Sequence, residues 1–322
     1  MKAMVITAFG GPEVFEKRDV PKPKPGIGEL LVRVRATSIN PVDYKIRKNG
    51  SWAGVSPPAV IGYDAAGVVE EIGPGVKTFR PGDEVFYTPL IFGGQGTYAE
   101  YNVVGESIVA AKPRSLSFTE AAALPLAGCT AWDGIVGVGR VQLGETVLQH
   151  AGAGGVGSLA MQMAKAAGAR VLSTCRGGNA DFVKSLGADV TIDYSAERFE
   201  DAVLRETSGR GVDLVYDTVG GDTLARSVQV TRPHGRLISI VDTSGDLNAA
   251  YVKNLTLSLH FMERAGYKME VLKTLVERGQ LKPVIDSVMP LEQVAEAHRR
   301  LEAGGVRGKI VLEVSPGQLK RS

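Results

Sequence analysis

Residues 145–169, with the sequence ETVLQHAGAGGVGSLAMQMAKAAGA, constrain the fold of this chain more than any other stretch. Residues 146–150 have the composition of a short buried strand, and apolar side chains recur at helical spacing from residue 158 onward. Between the two lies a G-x-G-x-x-G pattern made by Gly152, Gly154 and Gly157. A strand, a glycine turn and a helix in this order form the context in which the pattern predicts a dinucleotide-binding site.

Each position of this turn has a physical role in such a site. Gly152 allows the tight turn, Gly154 lets the backbone approach a pyrophosphate, and Gly157 lets the helix pack closely on the strand. We expect the phosphates at the helix N-terminus, on the free N–H groups of a segment that includes Gly155 and Val156. Because the chain contains 40 glycines, such spacings also arise by chance, and the alternative is a purely structural turn. The flanking strand and helix favour the dinucleotide site.

Length and composition indicate an ordinary globular protein of two domains. The chain has 322 residues, of which 44% are hydrophobic and 22% are charged. A formal net charge of +2 provides no electrostatic argument for binding nucleic acid or an anionic membrane. No apolar run approaches the roughly 20 residues of a membrane span. The first 11 residues look like a strand entering a turn, not like a signal peptide.

The two cysteines, Cys129 and Cys175, lie far apart in apolar surroundings. A disulfide framework is therefore not expected, and each thiol is expected to be a buried small apolar group. A reducing compartment follows as the default, so we expect the protein in the cytoplasm. Two cysteines also cannot provide a structural zinc site with four cysteine ligands.

The predicted secondary structure changes around Ser117, from strands alone to alternating strands and helices. Residues 1–112 carry strand signals and almost no helix, which predicts an irregular β domain that closes as a partial barrel. Residues 146–241 then alternate strands and helices, which predicts a parallel sheet with helices on both faces, and residues 255–261 supply a sixth strand at its edge. Residues 309–314 form a closing strand that lacks a core of its own and is expected to return to the N-terminal domain.

The end of the second strand of this alternation bears on the choice of nucleotide. NAD-binding proteins place an acid about 20 residues after the glycine turn, where it binds the ribose 2′-hydroxyl. Residues 174–178 contain no acid, and Arg176 can instead pair with a 2′-phosphate. The alternative is that Arg176 is a solvated surface arginine. We favour NADPH as the cofactor.

Several further motifs follow one another in a fixed order: NPVD (40–43), PAVIGYDAAG (58–67), GTYAEY (96–101), AALP (122–125), LGAD (186–189), DTVGG (217–221) and GKIVL (308–312). Together with the glycine turn, they make the chain resemble the medium-chain dehydrogenase/reductase superfamily, in its zinc-free NADPH:quinone oxidoreductase (zeta-crystallin-like) branch. The resemblance covers almost the whole chain. Each motif alone is weak, whereas their order is specific.

The resemblance implies an α/β protein with two domains. Residues 1–120 and 265–322 would form a GroES-like, β-rich catalytic domain, and residues 121–264 a Rossmann domain with a doubly wound parallel sheet. It also implies a homodimer, formed through the strands at residues 255–261. Cofactor-binding residues carried over from the family are Arg176 and Tyr194 around the adenosine 2′-phosphate, Thr130 and Val241 near the nicotinamide, and Lys309, approaching the cofactor from the closing strand.

Zinc-dependent members of the superfamily hold their metal with a cysteine, a histidine in a Gly-His-Glu motif, and a second cysteine or an acid. This chain has residues 40–43 (NPVD) in the first ligand region and Gly62-Tyr63-Asp64 in place of Gly-His-Glu. Its four histidines are scattered along the sequence. We therefore expect no catalytic metal, and alcohol oxidation becomes the poorer hypothesis.

A zinc-free site suits small-molecule acceptors that are already electrophilic, such as quinones and α,β-unsaturated carbonyl compounds. Tyr63 is the first candidate to donate a hydrogen bond to the acceptor oxygen, with Tyr44 and Asn40 as alternatives. The competing interpretation of Tyr63 is packing alone. Asp43 is a candidate for binding the substrate, or for capping a helix.

The leading hypothesis is thus a zinc-independent oxidoreductase that transfers hydride from NADPH to a quinone or another activated carbonyl acceptor. One alternative within enzymes is an NADPH-dependent reductase of enone or 2-alkenal double bonds. An alternative from another class is a non-catalytic, crystallin-like protein that binds NADPH without turnover.

Overall fold

The computed structural model describes residues 1–314, which divide into two units. The first unit consists of Met1–Ala127 and the chain from Arg264 onward, and the second is Gly128–Glu263. Within the described residues, no helix is long and apolar enough to cross a membrane. Strands and helices are numbered below along the whole chain.

The first unit is built mainly from strands. Its strands are β1 (Lys2–Ile6), β2 (Phe15–Asp19), β3 (Glu29–Ser38), β4 (Ala59–Val60), β5 (Ala65–Ile72), β6 (Glu84–Tyr87), β7 (Tyr101–Gly105), β8 (Val109–Ala111), β15 (Ile285–Pro290) and β16 (Lys309–Glu313). Three of them form a small sheet in the order β2-β1-β4, and the other seven form a larger sheet in the order β15-β16-β3-β5-β6-β8, with β7 also paired to β3. Except for the parallel pair β15 and β16, neighbouring strands are antiparallel. The β-rich character predicted for this region is confirmed.

The closing strand returns to the N-terminal part of the chain, as predicted. β16 pairs antiparallel with β3, with Val311 opposite Ser38 and Leu312 opposite Thr37. Ile310 and Leu312 lie in the same apolar core as Leu30 and Val32 of β3. This register brings the start of β16 to the end of β3, where the chain continues into Ile39 and Asn40.

Four helices complete the first unit: α1 (Pro41–Asn49), α2 (Phe118–Ala122), α9 (Gly266–Glu277) and α10 (Val294–Ala303). The expectation of almost no helix before residue 112 is wrong, because α1 occupies nine residues there. The helix begins with Pro41 at its first position, where proline costs no hydrogen bond, and Asp43 accepts from the N–H of Asn40 at 2.9 Å. Ile46, fully buried, anchors the helix in the core.

The second unit is a single parallel sheet with helices. Its strands are β9 (Thr146–Gln149), β10 (Arg170–Cys175), β11 (Val190–Asp193), β12 (Val212–Asp217), β13 (Thr231–Ser239) and β14 (Thr256–Leu259), in the order β11-β10-β9-β12-β13-β14. All neighbouring strands are parallel. This is the doubly wound order, in which the chain direction across the sheet reverses between β9 and β12. The predicted parallel sheet and its sixth strand at the edge are confirmed.

Helix α3 (Pro125–Trp132) begins at the end of the first unit and continues into the second. The helices of the second unit are α4 (Gly155–Ala166), α5 (Ala180–Ser185), α6 (Phe199–Glu206), α7 (Thr223–Ser227) and α8 (Ala249–Val252). The core of the unit consists of aliphatic side chains of the strands and helices, among them Leu148, Leu172, Val203 and Val215, each 0% exposed. Buried aliphatic side chains on both faces of a strand are typical of parallel sheets.

The first division between the units falls between Ala127 and Gly128, inside α3, whereas the sequence predicted a boundary after residue 120. The difference arises because α2 packs on β3, β5 and β16 of the first unit. Its residues Ala121 and Ala122 are fully buried. The second division falls between Glu263 and Arg264, one residue before the predicted boundary.

Candidate active site

The glycine turn after β9 is too tight for any side chain at two of its positions. A Cβ on Gly152 would lie 2.1 Å from Ser173 Oγ, and one on Gly157 would lie 2.2 Å from the carbonyl oxygen of Ala151. Ala151 itself has a positive φ of 56°. Gly152 therefore permits the close approach of the turn to β10, and Gly157 permits the close approach of α4 to the turn.

Gly154 differs from these two glycines, because its surroundings within the protein are open. A Cβ there would meet only the carbonyl oxygen of Ala151, at an ordinary 3.4 Å. Gly154 is the N-cap of α4 and provides no side-chain cap. The N–H groups of Gly155, Val156 and Gly157 donate to no protein acceptor within residues 1–314. Free donors at the positive end of a 12-residue helix, beside an open glycine, fit the pyrophosphate of a dinucleotide.

Arg176 and Tyr194 come together where β10 and β11 end. Arg176 Nε donates to the Tyr194 hydroxyl at 3.1 Å, and Tyr194 is half exposed. Both side chains are therefore available on the surface at the carboxyl edge of the sheet, the edge at which ligands bind in doubly wound folds.

An acid that the sequence analysis missed lies beside them. Asp193 ends β11 opposite Cys175, and a Cβ on Gly177 would lie 2.4 Å from its Oδ2. Hydrogen bonds from the side chain and backbone of Ser195 lower the pKa of Asp193, so it is an anion at neutral pH. The sequence pattern predicts the acid at the end of the second strand, whereas Asp193 comes from the end of the third strand, β11. Parallel pairing of β10 and β11 was the signal that could have found it.

Thr130 and Val241 lie in the second unit. The carbonyl oxygen of Thr130 accepts from the Tyr216 hydroxyl of β12 at 2.8 Å, and the Thr130 side chain is buried. Val241 follows the end of β13, where its N–H contacts Ser239 Oγ at 3.3 Å. The two residues are held by separate groups of hydrogen bonds, and their expected place near a nicotinamide stays a prediction.

A buried ion pair organises the polar residues of the first unit. Lys309 Nζ donates to the carbonyl oxygen of Ile39 at 2.6 Å and to Asn40 Oδ1, and lies 3.3 Å from Asp64 Oδ2. Lys309 is 4% exposed and Asp64 is fully buried. Burial lowers the pKa of Lys309, and the negative charge of Asp64 opposes that shift.

The role expected for Lys309 at the cofactor stays a prediction. Its ammonium group donates to Ile39 and Asn40 and forms an ion pair with Asp64. The sequence analysis did not name Asp64 as a site residue. Its carboxylate accepts from Asn40 Nδ2 at 2.7 Å, and from Ser38 Oγ and the Leu126 N–H at 2.6 and 2.7 Å. Lys309 and Asp64 thus fix the Asn40 side chain between them.

Asp43, the other carboxyl group of this network, has a different environment. Its Oδ2 accepts from the Asn40 N–H at 2.9 Å and from the Tyr98 hydroxyl at 2.7 Å. Its Oδ1 is buried and has no hydrogen-bond partner in the described part of the chain. Burial raises the pKa of Asp43 to about 7, although the hydrogen bonds from Tyr98 and Asn40 favour the anion. The helix-capping interpretation of Asp43 is confirmed by the bond to Asn40.

Hydrogen bonds connect Asp43 through Tyr98 and His298 to Arg47. His298 of α10 lies 3.2 Å from the Tyr98 hydroxyl through Nε2, and 3.1 Å from Arg47 Nη1 through Nδ1. Arg47, fully buried, also donates to Glu302 at 2.6 Å and to the Gly10 carbonyl at 3.1 Å. Burial and the Arg47 charge lower the pKa of His298 to about 3, so its ring is neutral. The sequence analysis predicted none of these contacts.

Of the two candidate tyrosines, Tyr63 retains a free hydroxyl. Its side chain is 1% exposed, and its carbonyl oxygen accepts from Thr88 Oγ1 at 2.7 Å. No residue among 1–314 hydrogen-bonds its hydroxyl. Burial, and then the charge of Asp43, raise the pKa of Tyr63, so the hydroxyl keeps its proton. Tyr44 instead lies under the Lys48 ammonium, 5.2 Å from the ring centre.

The histidines are not gathered at any one place. His150 lies between Thr174 Oγ1 and Ser227 Oγ, at 3.2 and 3.0 Å, and burial lowers its pKa to about 4. His260 is paired with Asp133 at 2.9 Å. No group of three or more His, Cys, Asp or Glu side chains in the described chain is placed to hold a metal ion. Both cysteines are buried, as predicted, and neither forms a disulfide bond.

Two family models match the chain. Residues 26–114 match the alcohol dehydrogenase GroES-like domain, and residues 186–312 match a domain described as zinc-binding dehydrogenase. A quinone oxidoreductase of Pseudomonas aeruginosa is 35% identical, over 97% of this chain and 99% of its own length. A 2-methylene-furan-3-one reductase of Solanum lycopersicum is 37% identical, over 98% of this chain and 80% of its own length.

The chain belongs to the medium-chain dehydrogenase/reductase superfamily, in its quinone oxidoreductase branch. Solved structures agree with this assignment. The quinone oxidoreductase of Coxiella burnetii superimposes with a TM-score of 0.89 at 34% identity, covering 98% of this chain and 99% of that one. A mycobacterial protein solved with NADPH has a TM-score of 0.88 at 32% identity, covering 97% and 100%.

As a member of this superfamily, the protein is an oxidoreductase that uses a pyridine nucleotide. The open Gly154 and the free N–H groups of α4 fit the pyrophosphate of that nucleotide. The nucleotide supplies the hydride. The second unit has free backbone donors at the start of α4, and the first unit has the polar network around Asn40 and Asp64.

Gly154→Ala separates binding of the nucleotide from folding of the turn. The added methyl meets no protein atom closer than 3.4 Å, and the backbone (φ −78°, ψ 173°) accepts any residue. We expect the thermal unfolding midpoint to be unchanged or slightly raised. Nucleotide affinity should fall by roughly tenfold or more, with each factor of ten corresponding to about 1.4 kcal/mol, because the methyl takes the space of the pyrophosphate.

Calorimetric titration with the nucleotide and thermal unfolding measure the two effects. Gly157→Ala is the matched control, because its methyl would overlap the carbonyl oxygen of Ala151 and should lower the unfolding midpoint itself. Undiminished nucleotide affinity in Gly154→Ala would contradict the assignment.

Proposed function

We propose that this protein reduces a quinone or another activated carbonyl compound by hydride transfer from NADPH, without a catalytic metal. The observation that carries the proposal is Tyr63. It stands where zinc-dependent members have the histidine of Gly-His-Glu; its side chain is buried, and its hydroxyl has no hydrogen-bond partner among residues 1–314. A phenol in this place can donate to an acceptor oxygen but cannot act as a strong Lewis acid. Such a site favours acceptors that are already electrophilic.

The first unit supplies the groups that would bind the acceptor oxygen. Tyr63 keeps its proton at neutral pH, and we assign it the hydrogen bond that stabilises the developing enolate or hydroquinone anion. Asn40 is fixed by Lys309 and Asp64 and retains one amide N–H, so it is the second candidate donor. Tyr44 is the weaker candidate, because its ring is covered by Lys48.

Reduction of an enone or 2-alkenal double bond is the second candidate function. Among the relatives, an NADPH-dependent alkenal/one oxidoreductase of Arabidopsis thaliana is 34% identical over 98% of this chain. The same hydrogen bond to a carbonyl oxygen serves both reactions, since both place negative charge on that oxygen. Analysis of the product, hydroquinone or saturated ketone, distinguishes them.

The purified protein should oxidise NADPH in the presence of 1,4-benzoquinone or a simple enone, with the rate unchanged by a zinc chelator. Absorbance of NADPH at its near-ultraviolet band measures the rate. Tyr63→Phe should lower kcat by roughly 10²-fold, the size typical of removing one donor to a developing oxyanion. Thr88→Ser, which keeps the bond to the Tyr63 carbonyl, is the control.

Two results would overturn the proposal. Equal turnover of simple alcohols that is lost on chelation would indicate a zinc dehydrogenase. Binding of NADPH with no turnover across quinones and enones would indicate the crystallin-like alternative.

Selectivity for NADPH over NADH rests on Arg176. Its guanidinium lies at the carboxyl edge of the sheet, next to Tyr194, where a 2′-phosphate can pair with it. Asp193 lies nearby, but its carboxylate accepts hydrogen bonds from the N–H and the hydroxyl of Ser195. Arg176→Glu should weaken NADPH binding by roughly 10–100-fold, and NADH binding by much less, because only NADPH carries the extra phosphate.

Dissociation constants for both nucleotides, compared at one salt concentration, measure this effect. Arg299→Glu, an exposed charge reversal on α10 of the first unit, is the control for net charge. An equal loss for the two nucleotides would exclude Arg176 as the 2′-phosphate ligand.

We also propose a homodimer formed through β14. This strand lies at the edge of the parallel sheet, and Leu259 and Phe261 are more than half exposed. An apolar edge strand is a template for pairing with a second copy. The expected mass in solution is that of a dimer, and a monomeric mass would contradict the assignment. The two buried cysteines, which form no disulfide bond with each other, support the cytoplasm as its compartment.

A further inference from the structure

Asp43 Oδ1 is a buried polar atom for which residues 1–314 provide no hydrogen-bond partner. More than nine-tenths of buried polar atoms in folded proteins are hydrogen-bonded, so such an atom calls for an explanation. Among residues 1–314 no group hydrogen-bonds the Tyr63 hydroxyl, and the charge of Asp43 is one of the causes that raise the pKa of Tyr63. Both residues belong to the first unit.

The hydrogen bonds behind Asp43 have a fixed direction. Arg47 is always protonated and only donates, so His298 Nδ1 must accept. His298 therefore carries its proton on Nε2 and donates it to the Tyr98 oxygen. The Tyr98 hydrogen is then directed to Asp43 Oδ2. This order cannot reverse, because Arg47 has no lone pair with which to accept a proton.

The consequence concerns where Asp43 can be protonated. Its Oδ2 already accepts two hydrogen bonds, from Tyr98 and from the Asn40 N–H. A proton on Oδ2 would point at the Tyr98 hydroxyl and the Asn40 N–H, and these two donors would lose their acceptor. A proton taken up by Asp43 must therefore reside on Oδ1, the oxygen that is free of protein donors.

The charges around Asp43 permit that uptake near neutral pH. Lys309 favours the carboxylate and Asp64 opposes it. Tyr98 and His298 are neutral, and Arg47 is paired with Glu302. Burial is the largest influence, and it raises the pKa of Asp43 to about 7. Asp43 can then take up a proton near neutral pH, and Oδ1 is the oxygen open to it.

We propose that Asp43 is the proton reservoir of the reductase, and that it restores the Tyr63 proton which is transferred to the oxygen of the reduced acceptor. This inference rests on the proposed function. The acceptor carbon gains the hydride, and an electron pair of its conjugated carbonyl system moves to oxygen. The Tyr63 O–H bond breaks as an O–H bond forms on the acceptor. The Asp43 Oδ1–H bond then breaks, directly or across one water molecule, and the Tyr63 O–H bond reforms.

The balance of the reaction is complete with the species named. NADPH loses a hydride and becomes NADP⁺, and one solvent proton returns to Asp43 after the product leaves. Tyr63 is the catalytic residue, since it touches the acceptor. Tyr98, His298 and Arg47 are positioning residues that keep the Asp43 proton on Oδ1. A tyrosinate would be costly beside an anionic Asp43, so donation by Tyr63 is easier while Asp43 is protonated.

The first test uses the protein without nucleotide. Asp43→Asn replaces the acid with an uncharged amide of the same shape, whose nitrogen takes the place of protonated Oδ1. A raised pKa means that the folded state binds more protons than the unfolded state, so the stability contributed by Asp43 is lost as pH rises towards 7. The unfolding midpoint of Asp43→Asn should therefore rise relative to the wild type as pH increases from about 5 to about 8.

Asp213→Asn is the matched control for this titration. Asp213 is also buried, but hydrogen bonds from Arg210 and Arg232 overcome the effect of burial and lower its pKa. Its stabilising contribution is lost only in acid, so over the same pH range its midpoint curve should run parallel to that of the wild type. A parallel curve for Asp43→Asn as well would overturn the proposal.

The second test is the pH dependence of kcat with 1,4-benzoquinone and with an enone. Wild-type kcat should fall by about tenfold per pH unit once Asp43 is ionised. Asp43→Asn should lower kcat by roughly 10²-fold with little change in KM, and should remove that break in the profile. Tyr98→Phe removes a donor to the carboxylate, so the break should move to higher pH, a shift that a purely structural role would not produce.

The two tests separate the reservoir from the proposed function. An Asp43→Asn enzyme with wild-type kcat and an unchanged pH profile excludes the reservoir while leaving the reductase assignment intact. If the wild type turns over no acceptor, the proposed function fails and the reservoir fails with it, even where the stability curves show that Asp43 titrates.

Discussion

One buried ammonium group, Lys309 Nζ, holds the polar site of the first unit in place. It comes from the closing strand and binds Ile39 and Asn40, about 270 residues earlier in the chain. Its counter-ion, Asp64, is fully buried and receives three further hydrogen bonds. Removing one partner of such a pair costs about 3–5 kcal/mol, because the other charge is left buried and unpaired. The position of Asn40, and of the helix that starts beside it, thus depends on the return of the chain end.

Two carboxyl groups of this network differ because their surroundings differ. Asp64 contacts a lysine and three hydrogen-bond donors. Asp43 has two donors on one oxygen, none among residues 1–314 on the other, and a pKa that burial raises to about 7. Different surroundings are the usual basis for assigning distinct roles to neighbouring acids. Asp64 positions Asn40, whereas the hydrogen bonds from Tyr98 back to Arg47 determine which oxygen of Asp43 is open to a proton.

The glycine turn that fits a nucleotide depends mainly on backbone geometry and not on side-chain hydrogen bonds. Gly152 and Gly157 are required by the close approach of turn, strand and helix, and Gly154 leaves the space that a phosphate needs. The proposed selectivity for NADPH rests on side chains at the strand ends, where Arg176 and Asp193 have opposite charges. Asp193 is turned towards Ser195, which leaves Arg176 as the charged group joined to the exposed Tyr194.

The sequence by itself determined the features that depend on near neighbours in the chain. Strand, glycine turn and helix lie within 25 residues, and the alternation after residue 146 specifies the parallel sheet through local periodicity. The closing strand was predictable because it has no core of its own. Tertiary structure alone decided the contacts of Lys309 and His298, whose partners lie at least 200 residues away, and the place of Asp193 opposite Cys175 on the neighbouring strand. For helix α1 the sequence offered only the capping role of Asp43, because the rest of this short helix of mixed polarity is stabilised by the burial of Ile46 and Arg47.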